Sequence, residues 1–158
     1  MTQDGYTAWG QSYSIGVPII DNQHKNLFLQ INLLLSSIKD ESIQVNLRKS
    51  ILFLQQYVEA HFGTEERLMQ NHNFSGLNFH KKEHEYFIKK LHTFSKEYEN
   101  SGVSKDLKMR LAKELWVWFK EHVMKTDLKL GDFLKSKNVH KDESPKDIFD
   151  EFMYNSNI

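Results

Sequence analysis

The sequence predicts an all-α fold: an up-down-up-down four-helix bundle with an irregular N-terminal arm and a short C-terminal helical extension. Three observations carry this. The 158 residues hold only two prolines, Pro18 and Pro145, so residues 19–144 run without one, as long helices require. The seven glycines fall mostly between periodic stretches. Apolar residues recur in steps of three and four, the helical period, and no segment alternates as a half-buried strand does.

The arm contains Trp9 and Ile15-Gly16-Val17-Pro18. The first helix is expected over residues 22–38, with the stripe Leu27/Phe28, Ile31, Leu34/Leu35, Ile38. The second starts near Ser42–Gln44 and ends near Asn71, carrying Leu47, Ile51, Leu54 and Val58. Ser75-Gly76 opens the third, with Phe87, Leu91, Phe94 and Tyr98. Asn100-Ser101-Gly102 forms a turn, and Ser104 caps the fourth, which carries Leu107, Leu111, Leu115 and Trp118. Short connections between amphipathic helices favour an antiparallel bundle. The length suits one domain, residues 1–138, followed by an extension over 139–158. A short segment with Leu130, Phe133 and Leu134 precedes that extension. In it Ser144-Pro145 caps a last helix bearing Ile148, Phe149, Phe152 and Met153, expected to dock on the bundle.

Composition narrows the chemistry. Lysine plus arginine and aspartate plus glutamate both number 21, so net charge is zero and no basic surplus argues for nucleic acid. Cysteine is absent, which removes disulfides, thiolate metal sites and cysteine nucleophiles. The polar stretch Met1–Gly10 lacks an apolar signal core, and no apolar run is long enough to span a bilayer. The expectation is a cytoplasmic protein without membrane insertion.

Eight histidines in this length call for an account. Extending the apolar stripes supplies one. On the second helix the steps lead on to His61, Glu65 and Leu68; on the third they run back to His84 and His80. On the fourth they reach His122, and on the first His24 lies one turn before Leu27/Phe28. In an antiparallel bundle these places, with Asp127, are all at one end. Buried imidazoles and carboxylates in one layer are costly unless paired or metal-bound, and this donor mixture suits iron, zinc, copper or manganese. His61/Glu65 and His80/His84 have the i,i+4 spacing that aims two side chains from one helix face. Asp127 stands about 140° round an ideal helix from His122, so it is expected to reach back from a fraying end of the fourth helix.

Each pattern alone is weak: a lone His-x-x-x-Glu is ordinarily a surface pair. Convergence from four helices at one height overturns that explanation. His72, His92 and His140 keep the ordinary one, as solvated or peripheral residues. Phe28, Phe62, Phe87, Leu115 and Trp118 are core residues within about a turn of the candidate ligands, and they supply an apolar pocket wall.

These stretches resemble the bacterial hemerythrins. The similarity runs over residues 9–135 and is carried by Ile20-Asp21-Asn22-Gln23-His24-Lys25-Asn26-Leu27-Phe28, by His61-Phe62-Gly63-Thr64-Glu65-Glu66, by His80-Lys81-Lys82-Glu83-His84, and by Trp118 with His122-Val123-Met124-Lys125-Thr126-Asp127. Gly63, between two ligand positions, and the long tail depart from the family pattern. The resemblance implies two non-haem iron ions with an oxo or hydroxo bridge. His80, His84 and His122 would serve one iron, and His24 and His61 the other. If Glu65 and Asp127 both bridge, one coordination position stays open, and dioxygen is the expected ligand there. The Glu-x-x-His repeats of di-iron carboxylate enzymes are absent. The expected function is therefore reversible dioxygen binding, as carrier, store or local supplier, not an enzyme. The rivals are a peroxidase or nitric-oxide-handling enzyme and an oxygen or redox sensor. An oxidase or signalling partner is left unidentified, as is the oligomeric state.

Overall fold

A computed structural model describes residues 9–39 and 46–139, and among them there is no strand. Helices α1 (Pro18–Lys39), α2 (Leu47–Asn71), α3 (Leu77–Ser101) and α4 (Lys105–Trp118) form the expected bundle. Proline stands at the first position of α1, where it lacks no hydrogen bond, so this helix starts a turn before the predicted boundary. The Asn46 side chain accepts from the Lys49 amide at 3.1 Å and caps α2; the Ser42–Gln44 start lies outside the described residues. Ser104 caps α4 as predicted, accepting from the Leu107 amide at 3.0 Å. Gly102, at φ 72°, closes α3 in a conformation that side chains resist.

The end of α4 corrects one expectation. The helix does not fray there. Backbone from Phe119 to Asp127 continues as a π-helix and passes into α5 (Leu128–Ser136) without a break. Leu130 and Leu134, read as a separate segment, therefore belong to the same rod as the fourth helix. The proposed last helix with Ile148, Phe149, Phe152 and Met153, and His140 before it, lie outside the described residues.

Two apolar clusters fill the interior. The larger runs through the bundle from Leu34, Leu47 and Leu107 to Phe28, Phe62, Phe87 and Trp118. The smaller gathers Ile15, Val17, Ile20, Leu68, Met69, Leu130 and Leu134 at one end. The arm reaches this end because Asp21 clamps it: the carboxylate accepts from the Ile15 amide at 2.7 Å and from the Ser14 hydroxyl at 2.5 Å. A Cβ on Gly131 would stand 2.4 Å from the Ile15 carbonyl oxygen, so arm and α5 touch backbone to backbone. Between the two clusters, one turn from each, lies the layer that holds His24, His61, Glu65, His122 and Asp127.

Candidate metal centre

Each helix brings its share of the site for a local reason. His24 takes the inward position of α1 between Ile20 and Leu27/Phe28. His61 and Glu65 continue the Leu54/Val58 stripe of α2, and His80 and His84 begin the α3 stripe. His122 and Asp127 both lie in the π-helical segment. There hydrogen bonds run from i to i+5, so five residues make about one turn rather than one and two-fifths. This replaces the expected reach from a frayed end: the widened turn stacks Asp127 beneath His122. All seven residues are buried, none more than 1% exposed.

The geometry is that of two donor sets. His80, His84, His122 and Glu65 offer atoms within 4.8 Å of one another, and so do His24, His61, Glu65 and Asp127. The carboxylates lie between the sets. Asp127 turns Oδ1 to His80 and His122 Nε2, each at 3.1 Å, and Oδ2 to His24 Nε2 at 3.1 Å. Glu65 turns Oε2 to His80 at 3.2 Å and His84 at 3.1 Å, while Oε1 lies 3.7 Å from His61. Each carboxylate thus gives one oxygen to each set.

Most of these close approaches lack hydrogen-bond geometry. His24, His61, His84 and His122 Nε2, Glu65 Oε1 and both Asp127 oxygens have no hydrogen-bond partner among the described residues. Buried polar atoms left so are rare and costly. Lone pairs that crowd together without bonding one another fit donors aimed at a shared cation. Imidazole nitrogen with carboxylate oxygen is a donor set for first-row transition metals.

Electrostatics agree. Burial holds the His61 imidazole neutral, lowering its pKa to about 3 against the pull of Glu65. Burial acts on His80 the same way, but the Asp127 and Glu65 carboxylates close to its Nε2 outweigh it and raise its pKa to about 10. His122 rises to about 9, burial being outweighed by Asp127 and Glu83. Burial would raise the Glu65 and Asp127 carboxyls, yet the surrounding imidazoles hold both below the usual range. A cation entering the site would meet ionised carboxylates and take the place of these protons.

The wall residues are packed rings. Phe62 stacks on His84 with centroids 3.8 Å apart and planes 5° apart, and Trp118 stacks on His122 at 4.0 Å and 19°. Phe87 packs on Trp118 at 4.4 Å. Leu115 is fully buried. Phe28 packs into a second aromatic group with Trp9, Tyr13, Trp116 and Phe119.

Sequence reasoning missed the residues behind the histidines. Gln23 Oε1 lies 2.9 Å from His61 Nδ1, Glu66 Oε1 lies 3.1 Å from His84 Nδ1, and Glu83 Oε2 lies 3.0 Å from His122 Nδ1. Tyr57, one turn above His61, stacks on its ring at 5.0 Å. A signal existed for the first three. Each directly neighbours a core-facing site residue in sequence, and so sits on the flank of its helix that meets the next helix.

The family model for the hemerythrin HHE cation-binding domain matches residues 15–134. The chain belongs to the hemerythrin family. A bacteriohemerythrin of Clostridium acetobutylicum is 30% identical over 122 residues, 75% of this chain and 94% of that protein. A myohemerythrin of Sipunculus nudus is 28% identical over 123 residues, 77% of this chain and 88% of that one. The fold is also similar to the crystal structure of a leucine-to-tyrosine hemerythrin variant, at TM-score 0.65 and 25% identity, covering 81% of this chain and 96% of that one. The hemerythrin match spans both donor sets.

Proposed function

We propose that this hemerythrin domain binds dioxygen reversibly at a non-haem di-iron centre held by His24, His61, Glu65, His80, His84, His122 and Asp127. The observation that carries the proposal is the pair of buried donor sets joined by two carboxylates, each giving one oxygen to either set. Two bound irons would supply the electrons that dioxygen accepts on binding. The chain's own residues would do the rest. Five imidazoles and two carboxylates would fill about nine of the twelve coordination positions of two six-coordinate irons and leave room only for small ligands. Neutral imidazoles outnumber carboxylates, and this stabilises high-valent metal less than the glutamate-rich sites of oxidases do. Phe62, Phe87, Leu115 and Trp118 keep bulk water, and with it protons, away from the site. A carrier, store or local supplier of oxygen needs these properties.

Iron loaded anaerobically into the metal-free protein and then exposed to air tests this. A visible band that appears with oxygen, disappears under nitrogen and returns supports reversible binding. Rapid oxidation to a stable form that turns over peroxide would replace the proposal with an enzyme. Loading should reach about two irons per chain, and His61→Ala should hold about one fewer. An unchanged iron content in that variant would overturn the site.

A further inference from the structure

The five histidines differ in what stands behind them. His84 and His122 each present Nδ1 to a carboxylate, Glu66 at 3.1 Å and Glu83 at 3.0 Å. His61 presents Nδ1 to the neutral amide oxygen of Gln23 at 2.9 Å. Nδ1 of His24 and of His80 is buried without a hydrogen-bond partner among the described residues. Sorted by donor set, both charged supports fall to the set of His80, His84 and His122. The His24/His61 set has one amide and no charge.

The supports are themselves anchored differently. Glu66 is paired with Lys81 at 2.9 Å, and Glu66 and Glu83 are 24% and 31% exposed. Gln23 is buried, and its Nε2 donates to the Thr64 hydroxyl at 3.4 Å, which donates in turn to the Ala60 carbonyl at 2.8 Å. The first set is connected to charge at the surface. The second is closed in neutral hydrogen bonds.

A carboxylate that accepts the outer N–H of an imidazole makes its other nitrogen a stronger donor, and it adds negative charge near a bound dication. Hydrogen bonds to a charged acceptor are roughly twice as strong as neutral ones. An amide does neither to the same degree. We infer that the two metal positions are graded: the position of His80, His84 and His122 fills first and holds metal tighter, and Glu66, Glu83 and Gln23 are the positioning residues that set this order. The inference rests on the two-metal reading of the site. Three imidazoles against two favour the same order, so the test must change only the supports.

Cobalt(II), a spectroscopic stand-in for ferrous ion, is titrated without oxygen into the metal-free full-length chain, followed by visible absorption and calorimetry. The wild type should bind in two resolved steps. Glu66→Gln and Glu83→Gln should each weaken the first step about 10–100-fold and leave the second in place. Gln23→Glu should strengthen the second step by about tenfold and draw the two together. Melting of each metal-free variant identifies any that fails to fold, and the Gln23→Glu arm decides if a glutamine variant does. Equal weakening of both steps by the glutamine variants, or an unchanged second step in Gln23→Glu, would overturn the grading. A wild type that binds no cobalt, or a His61→Ala chain that binds as much as wild type, would overturn the two-metal reading itself.

Discussion

Gly63 stands in the middle of α2 between His61 and Glu65, and a Cβ there would meet nothing within 4 Å. Glycine costs about 1 kcal/mol in a helix interior relative to alanine. Gly63→Ala should therefore raise stability by about that amount in urea unfolding without changing metal content. Gly131 is the opposite case. Its missing Cβ makes room for the Ile15 backbone, so Gly131→Ala should cost about 1–3 kcal/mol by the same measurement. The candidate ligands give the metal-free protein a pH profile. His61 stays neutral to about pH 3 in the folded state, against 6.5 unfolded, so stability falls as pH drops below about 6.5. Glu65 and Asp127 add to that acid loss below their unfolded values, because folding lowers both. His80 and His122 gain stability from being charged, which is complete below 6.5 and is lost as pH rises through about 9 to 10. Melting of the metal-free chain should thus peak near pH 6.5 and fall on both sides; a plateau from 7 to 10 would contradict the pairing of His80 and His122.

At the scale of the element, the π-helical segment determines where Asp127 points. Removing the exposed Lys125 would set Asp127 four residues from His122, the α-helical spacing, and so keep it beneath His122 and keep α5 in phase. Leu130 and Leu134 should then stay in the end cluster with melting temperature and metal content held, whereas one alanine added after Lys125 should turn α5 by about 100° and lower both. A loss of both on the deletion, with the insertion tolerated, would mean that the wide turn is not what seats Asp127. This segment also marks where the sequence was harder to interpret. Helix existence, the Ser104 cap and six of the seven candidate ligands follow from stripes in steps of three and four. Asp127 does not, because nothing in Phe119–Asp127 announces i to i+5 bonding and an ideal α-helix sets it about 140° astray. The clue was a register break: the stripe moves from His122 to Asp127 in one step of five and then resumes at Leu130 and Leu134. The flanking Gln23, Glu66 and Glu83 were hidden for another reason. Periodicity identifies what faces the core, whereas these residues act across helix–helix seams whose pairing only the fold supplies.

In the whole molecule, the candidate centre is a polar layer between two apolar clusters, and it ties all four helices together. Only the folded chain brings these carboxylates and imidazoles together, so a cation that binds there would stabilise the fold. Free iron at a thousand times its dissociation constant would add about 4 kcal/mol, and chelation should lower the melting temperature accordingly. We propose that residues 1–138 form the folding unit. A chain ending at Asn138 should keep its melting temperature and metal content; a fall in both would assign the last twenty residues to the bundle. The fold class was legible because an amphipathic bundle advertises itself in every helix. The connection of α4 to α5 was not, since one rod was divided in two at the break in period.

The wide turn has a consequence for anyone who would transplant this site. Seven side chains copied onto a designed scaffold of straight, regular helices would land six in place, and the seventh would face a neighbour or the solvent. Copied at its own spacing, the graft needs one surplus residue in one helix, placed after the last histidine, and a closing segment phased to that surplus. A blueprint that smooths every helix to the same pitch discards the feature that delivers the second carboxylate.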